Sequence, residues 1–372
     1  MTDRFIAIRV GQGDAFYLQK NDIAILVDGG LSEISFPIQF ESTVKRKSVD
    51  YLICTHNDAD HANGVLGFLK SHLSCSEVWL PASWSYRLKD LLSHPDNFIC
   101  ELVEEIYQTC PSDEDQELAK FDTTHDIQND SFSKNESTTD SDVFSEINER
   151  YDIEYILQAY NWWNKMEQIT LKSCTYRSSL FFQSISAAER IRNIAVHAYR
   201  RGFKIRWFEH TYVAPSGGES FLKPVNSREL KATISNSISA LSYIALTESN
   251  KRSLVFESPE NETSPAVLFT ADSDLRNVIS VPWSNHMIVT SPHHGAESNN
   301  YVYQAFSRTG LSKVHWVRSD CRSTKRPGRS YLGVSGVRRC TRCNAPHVHE
   351  QDIRFSSSNG VWISKSRLCS CR

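Results

Sequence analysis

Apolar residues at the start of the chain come in short runs split by turn signals: RFIAIRV, GQGD, AFYLQ, Asn21-Asp22, IAILVDGG. Runs of that length bounded by Gly, Asn and Asp predict strands joined by tight turns, with Asn21-Asp22 closing a hairpin. VDYLICTH, residues 49–56, is continuously apolar, as in a strand buried on both faces, and it delivers His56 to its C-terminal end. ANGVLGFLKSHL follows with helical spacing, which puts Asp60 and His61 at a helix entrance, and SEVWLPAS reads as the next strand. Strand, loop, helix, strand is an α/β order.

From about residue 84 the pattern changes. RLKDLLSHPDNFICELVEEIYQTC and VFSEINERYDIEYILQAYNWWNKMEQI have helical spacing, and the stretch between them is acidic, Ser/Thr-rich and poor in aliphatics. Residues 84–182 therefore read as a helical insertion, with 111–143 as its mobile, dispensable part and a candidate contact for a protein partner. The strand–helix rhythm resumes with AAERIRNIAVHAYRRG, FKIRWFEH, ISALSYIALTE, RSLVFES and AVLFTADSD, and HMIVTSPHHG ends in His293 and His294. The expected divisions are an N-terminal half over 1–83, the insertion over 84–182, a second half over 183–320 and a basic Cys-rich tail over 321–372.

Composition narrows the class. The chain has 372 residues, 40% of them hydrophobic and 11% aromatic, which suits a sizeable core and excludes disorder of the whole. A formal charge of -3 argues against binding nucleic acid through bulk charge, while a local basic surface stays compatible with it. No apolar run approaches the roughly 20 residues of a spanning helix, and MTDRFIAIRVGQGD is too quickly polar for a signal peptide, so a soluble cytoplasmic protein without membrane association is expected. Ten cysteines in a chain this long, four of them in metal-like spacing near the C-terminus, predict reduced thiols and a zinc site rather than a disulfide scaffold.

The candidate chemistry sits in CTHNDADHANGV, which crowds His56, Asp58, Asp60 and His61 together. Period-two alternation puts His56 and Asp58 on one side, while Asp60 and His61 turn toward the same point from the loop. Asp272, ending AVLFTAD, supplies a carboxylate able to bridge two cations, and His293 and His294 supply imidazole. Each residue alone reads equally as a solvated loop residue or helix cap; ligands offered together from three strand ends point to a metal centre.

These residues resemble the metallo-β-lactamase-fold hydrolases, and within them the ComEC-type metallo-hydrolase domain of DNA-uptake channels. VGQGDAFYL resembles that branch's Val-Gly-Gln-Gly-Asp motif, ILVDGG its Asp-Gly-Gly, and THNDADHANGV its His-x-Asp-x-Asp-His signature. NSISALSYIAL is similar to its Asn-Ser-Leu-Val strand, LFTADSD to its Leu-Leu-Thr-Gly-Asp, and SPHHGAESN to its Pro-His-His-Gly-Ser. The motifs keep the family order over residues 8 to 300, with the insertion outside them. The resemblance implies a four-layer αββα sandwich and makes His56, Asp58, Asp60, His61, Asp272 and one or both of His293 and His294 the metal ligands. It implies that Asp28 braces the ligand loop; Asp14 is either a similar brace or a turn-stabilising carboxylate. The wider superfamily has a further histidine before the bridging aspartate, for which His210 is the candidate, against its reading as a core histidine. Ala271 stands where the family has glycine.

In the tail, CTRC (Cys340 to Cys343) and CSC (Cys369, Cys371) flank the strand-like runs DIRFSS and GVWISK, a spacing that suits one structural zinc in a ribbon-like site, with His347 or His349 able to replace a cysteine. A basic segment surrounds it: Arg318, Arg322, Lys325, Arg326, Arg329, Arg338, Arg339, Arg342 and Lys365, of which Arg326, Arg329, Arg338 and Arg339 are the expected phosphate-backbone contacts. Two active-site cations, zinc or manganese, would make the chain a phosphodiesterase, most readily a nuclease on DNA, with Asp60, Asp272 and His294 as catalytic groups. Asp58 in place of a histidine shifts preference toward harder ions. The alternatives are hydrolysis of a small ester, lactone, thioester or cyclic nucleotide, and a binding module with a degenerate site.

Overall fold

The computed structural model describes residues 2–109, 136–145, 175–276, 278–320, 323, 325–343 and 350–371. The chain forms two compact units, one of Met1–Pro81, Arg200–Leu230 and Asn250–Arg372, the other of Ala82–Tyr199 and Lys231–Ser249. Up to residue 230 the strands are β1 (Arg4–Ala7), β2 (Phe16–Lys20), β3 (Ile23–Val27), β4 (Ser48–Ile53), β5 (Ser74–Pro81), β6 (Glu136–Thr138), β7 (Lys204–His210), β8 (Lys223–Pro224) and β9 (Ser227–Leu230). The later ones are β10 (Thr233–Ser235), β11 (Phe256–Ser258), β12 (Val267–Phe269), β13 (Ile288–Thr290), β14 (His315–Arg318), β15 (Val337–Cys340), β16 (Ile353–Ser358) and β17 (Val361–Ile363).

The first unit holds two sheets, a long one in the order β17-β16-β1-β2-β3-β4-β5-β7-β9 and a short one in the order β15-β14-β13-β12-β11-β8. Phe5, Phe16, Val27 and Trp79 of the long sheet and Phe256, Phe269, Ile288 and Val317 of the short one share a single apolar core. Alternation then forces their neighbours outward. Tyr17 meets Phe40 of helix α1 (Phe36–Val44) at 6.2 Å between ring centroids, and Phe40 meets Phe68 of α2 (Ala59–Lys70) at 5.6 Å. On the far side, Val289 and Trp316 pack with Val302, Tyr303 and Phe306 of the helix Asn300–Ser307. Helix, sheet, sheet, helix is the αββα sandwich expected from the sequence.

The hairpin turn expected at Asn21-Asp22 joins β2 to β3 with both residues left-handed, at φ 49° and 67°. The tail departs from expectation. The described residues of 321–372 join both sheets: β15 extends the short sheet beside β14, and β16 pairs with β1, Phe5 opposite Phe355. His347, His349 and Arg322 lie outside the described residues, as do 111–135 of the stretch expected to be mobile.

In the second unit the expected boundary at 182/183 falls inside one helix, Thr175–Arg200. NSISALSYIAL, which the resemblance makes a strand, instead runs into the helix Ala240–Thr247. Its N-terminus is satisfied three times over: Ser239 Oγ accepts from Ser242 N, and Glu101 and Glu105 accept from the amides of Ala240 and Leu241 at 2.9 and 2.7 Å. Arg87 ties the same corner, with bonds to both Glu101 oxygens and to the Ile238 carbonyl. No described helix is long and apolar enough to cross a membrane.

Candidate metal centre

The ligand loop begins where β4 ends. Strand pairing stops at Ile53, so His56 stands three residues into the loop rather than on the strand. Asp58 occupies the N-cap of α2, yet its carboxylate makes no capping bond; its carbonyl accepts from His61 N and Ala62 N and the side chain is left for the site. The reading of Asp58 as a helix cap therefore fails, while the helix N-terminus still favours the negative charge of Asp58 and Asp60. Two close approaches fix the loop. Gly13, at φ 93°, lets the GQGD turn lie against Asp60, whose carbonyl oxygen would sit 1.6 Å from any Cβ there. Gly29 and Gly64 meet backbone to backbone, so the DGG turn seats on α2 only because neither has a side chain.

Asp272 stands between two sets of donors. Its Oδ1 lies 3.2 Å from His61 Nε2 and 3.9 Å from His294 Nε2, which is itself 3.3 Å from Asp60 Oδ2. Its Oδ2 lies 3.9 Å from His56 Nε2 and 3.6 Å from His293 Nε2, and His56 Nε2 is 3.6 Å from Asp58 Oδ2. Both histidines of the pair thus reach the centre, one to each oxygen. Backbone geometry allows it: His293 and His294 are left-handed at φ 47° and 54°, which turns consecutive side chains to one side. Asn299, which sequence reasoning missed, holds this corner by donating to the Asp272 carbonyl at 2.9 Å and meeting His293 Nδ1 at 3.3 Å.

Each buried ring is steered by a carboxylate on its other nitrogen. Asp28 Oδ2 is 2.9 Å from His61 Nδ1, and Asp14 Oδ1 is 3.1 Å from His294 Nδ1. Asp28 also accepts from Thr55 N and Thr55 Oγ1, and the same hydroxyl lies 3.0 Å from His56 Nδ1. Since that hydroxyl donates to Asp28, its oxygen accepts Nδ1–H of His56 and the network leaves Nε2 with its lone pair. Asp14 thus stands to His294 as Asp28 stands to His61. Thr55 gave no signal of this role in the sequence.

The electrostatics fit a cation site. Burial would lower His61 and His294, yet Asp272 with Asp28 raises the first, and Asp14 with Asp272 the second, well above the usual imidazole range. Burial likewise works against the charge on Asp272 and Asp60, but the neighbouring histidines hold both carboxyls well below the usual range. Burial raises Asp14. Asp14 Oδ2, His56 Nε2, His61 Nε2, Asp272 Oδ1 and His294 Nε2 are buried with no hydrogen-bond partner among the described residues. Orphaned polar atoms cost about 1–3 kcal/mol each, so five convergent ones suit divalent cations. Donor atoms of Asp14, His61, Asp272 and His294, and of His56, Asp58 and Asp272, lie within 4.8 Å of one another.

An open cleft of about 580 Å³ leads to the centre, lined by Asp58, Asp60, Asp272, His293, His294 and Glu297 together with Ser323, Lys325 and Arg326. Arg326 was an expected anion contact; Arg329 is exposed but outside this lining, and Glu297 accepts its neighbour Ser330 N. Arg338 and Arg339 are turned to the fold: Arg338 lies over Tyr331, and Arg339, buried, lies 5.2 Å over Phe355 and donates to Ser366 O. His210, the candidate further ligand, joins no donor cluster among the described residues; it packs edge-on against Tyr212, and burial pushes it down to about 4.

A third cluster, Cys340, Cys343, Cys369 and Cys371, brings four sulfurs within reach of one ion. Hydrogen bonds from the other thiols, Cys340 foremost, hold Cys343 far below the usual thiol range, while the bond to Cys343 raises Cys340. Four thiols sharing protons at this distance are the state a metal replaces.

No curated protein matches the chain. Residues 8–76, which carry Asp14, Asp28 and the whole His56-to-His61 loop, match the family model of the metallo-beta-lactamase superfamily.

Proposed function

We propose that the first unit is a metal-dependent phosphodiesterase, a nuclease acting on DNA. The observation that carries this reading is the charge layout of the cleft: Lys325 and Arg326 share its lining with Asp58, Asp60 and Asp272 of the donor set and with Glu297. A carboxylate-rich donor set suits hard divalent ions, and cations beside it suit a phosphodiester. His56 and Asp58 with Asp272 Oδ2, and His61, Asp60 and His294 with Asp272 Oδ1, would hold one ion each. Such ions, manganese or zinc, acidify water and neutralise charge developing on a phosphoryl oxygen.

The chain's own residues do the rest. Lys325 and Ser323 bind phosphate oxygens, and Arg326, held by Asp320 at 3.3 Å, presents a fixed guanidinium. Asp14 and Asp28 orient the buried rings. His294 turns its Nε2 to Asp60 and Asp272 in the donor set, so a proton for the leaving oxygen comes from His293, 28% exposed, which lines the cleft and whose Nδ1 is engaged by Asn299.

A plasmid-nicking assay with manganese, magnesium and zinc in parallel tests the reading, with Asp272→Asn as the blank. The cleft volume, about 580 Å³, also lies in the range of about 300–1,000 Å³ typical of small-molecule sites, which favours a small phosphodiester or ester as second reading. Turnover of a nitrophenyl phosphodiester with no cleavage of any nucleic acid selects it.

A further inference from the structure

Arg318, at the end of β14, is fully buried, and its three nitrogens reach three separate groups. Nε donates to the His294 carbonyl at 2.7 Å, Nη1 to the Arg342 carbonyl at 3.1 Å, and Nη2 to Asp320 Oδ2 at 2.6 Å. The first acceptor belongs to a residue of the metal centre, and the second lies inside the Cys340–Cys343 knuckle. A planar fork that spans both is a mechanical link, because a guanidinium cannot release one acceptor without tilting away from the others.

Further contacts follow the same path. Arg318 and Cys340 are register partners on the parallel strands β14 and β15. Thr341 N donates to the Arg318 carbonyl at 3.0 Å, and Asp320 N to Thr341 Oγ1 at 3.3 Å. Tyr331 touches the cluster through its hydroxyl, 3.5 Å from Cys340 Sγ, and its ring lies 3.3 Å from where a Cβ on Gly295 would be, directly after the histidine pair. The Ser319 carbonyl is 3.0 Å from His294 Nδ1, and Ser319 Oγ donates to the Gly13 carbonyl at 2.8 Å.

Charge gives the link its direction. Asp320 serves two guanidiniums, Arg318 and Arg326, so one carboxylate faces two positive charges. Four thiolates around one zinc ion carry a net charge of about -2, which places further negative charge beside the buried Arg318 guanidinium.

We infer that the four-cysteine cluster binds a zinc ion whose role is to set the catalytic centre: through Arg318, a positioning residue, occupancy of the cluster fixes the left-handed turn that presents His294. The inference rests on the reading of the Asp272 centre as a cation site and adds that its affinity depends on a second metal site in the same unit.

The test is thermodynamic linkage, which is reciprocal and is read without any activity. Metal-free protein is given one equivalent of zinc, which thiolates take ahead of carboxylate and imidazole, and manganese is titrated calorimetrically into zinc-loaded and zinc-free samples. Manganese is expected to bind about tenfold tighter to the zinc-loaded protein, the size of effect that groups orienting metal ligands produce. Arg318→Met should still take up one zinc through its cysteines and should lose the tenfold ratio; if it does not fold, Arg318→Lys, whose single ammonium cannot span three acceptors, should reduce it. Equal manganese affinity in both wild-type samples, or the full ratio in the folded Arg318 variant, overturns the coupling while leaving the cation centre standing. Zinc uptake with no manganese binding in either sample overturns the cation centre and the coupling together.

Discussion

Asp28→Asn exchanges one oxygen for an amide nitrogen at constant volume, in a site where the native carboxylate is buried and only accepts. Three donors converge on it: Thr55 N at 2.9 Å, Thr55 Oγ1 at 2.8 Å and His61 Nδ1 at 2.9 Å. The amide oxygen can keep the Thr55 N bond, which leaves the NH₂ facing the hydroxyl and the imidazole. A donor meeting His61 Nδ1 favours the opposite tautomer, with the proton on Nε2. Nε2 lies 3.2 Å from Asp272 Oδ1, so that proton ties up a histidine lone pair and a carboxylate oxygen of the same donor set. Loss of such an orienting partner costs about 10–100-fold in metal affinity, or about 1.4–2.8 kcal/mol. Calorimetric titration of manganese into metal-free protein at neutral pH should resolve the change as one weakened binding step, with the step at the His56 side less affected. Two binding steps of wild-type affinity in Asp28→Asn would show that Asp28 does not set the His61 tautomer.

Asp60→Asn and Asp272→Asn should each lower hydrolysis by at least about 100-fold with the circular dichroism spectrum unchanged, because the amide keeps volume and loses the anionic ligand; activity surviving both changes refutes the site. Lys325→Ala should weaken DNA binding and reduce the slope of log K against log salt by about 0.9, the contribution of one phosphate contact, and an unchanged slope would remove Lys325 from the interface. Burial pushes both His210 and His315 down to about 4, whereas an unfolded histidine takes up its proton near 6.5. Between those values the unfolded state binds more protons, so stability falls as pH drops through this window, by up to about 1.4 kcal/mol per pH unit for each histidine. His210→Gln/His315→Gln should flatten that limb in urea unfolding, and an equally steep limb in the double variant rules the two residues out as its cause.

The parts of the fold legible in the sequence were those set by near neighbours. The turn at Asn21-Asp22 is local chemistry, since both residues tolerate φ > 0, and the crowding of His56, Asp58, Asp60 and His61 survives any error about where β4 ends. What stayed hidden depends on partners far along the chain. NSISALSYIAL is a short, mostly apolar run, so its periodicity does not separate strand from helix; Glu101 and Glu105, more than 130 residues away, support the helix by accepting from the amides of Ala240 and Leu241. DIRFSS reads as a strand, but its pairing with β1 joins residues separated by some 350 positions, and without that pairing the tail looks detachable.

Charge was misleading for the same reason. Arg338 and Arg339 look like a phosphate-binding pair when composition alone is weighed, but they stand on β15, the edge strand of the short sheet, where Arg339 packs on the Phe355 ring and donates to the Ser366 carbonyl. Lys325 and Arg326 follow no strand and reach the cleft. The histidine pair shows the converse. On a strand, consecutive residues face opposite sides, so periodicity would give the centre only one of His293 and His294. Two successive left-handed residues break that rule and send one imidazole to each oxygen of Asp272. Such a backbone is costly for residues with a Cβ, by about 1–2 kcal/mol each, and is kept only where surrounding bonds over-determine it. Here those bonds are identifiable: His293 N to the Ala271 carbonyl, Asn299 to Asp272, and Arg318 to the carbonyl of His294. The geometry that lets both histidines reach one aspartate is therefore held from outside the His293-His294 turn itself, by Ala271, Asn299 and Arg318.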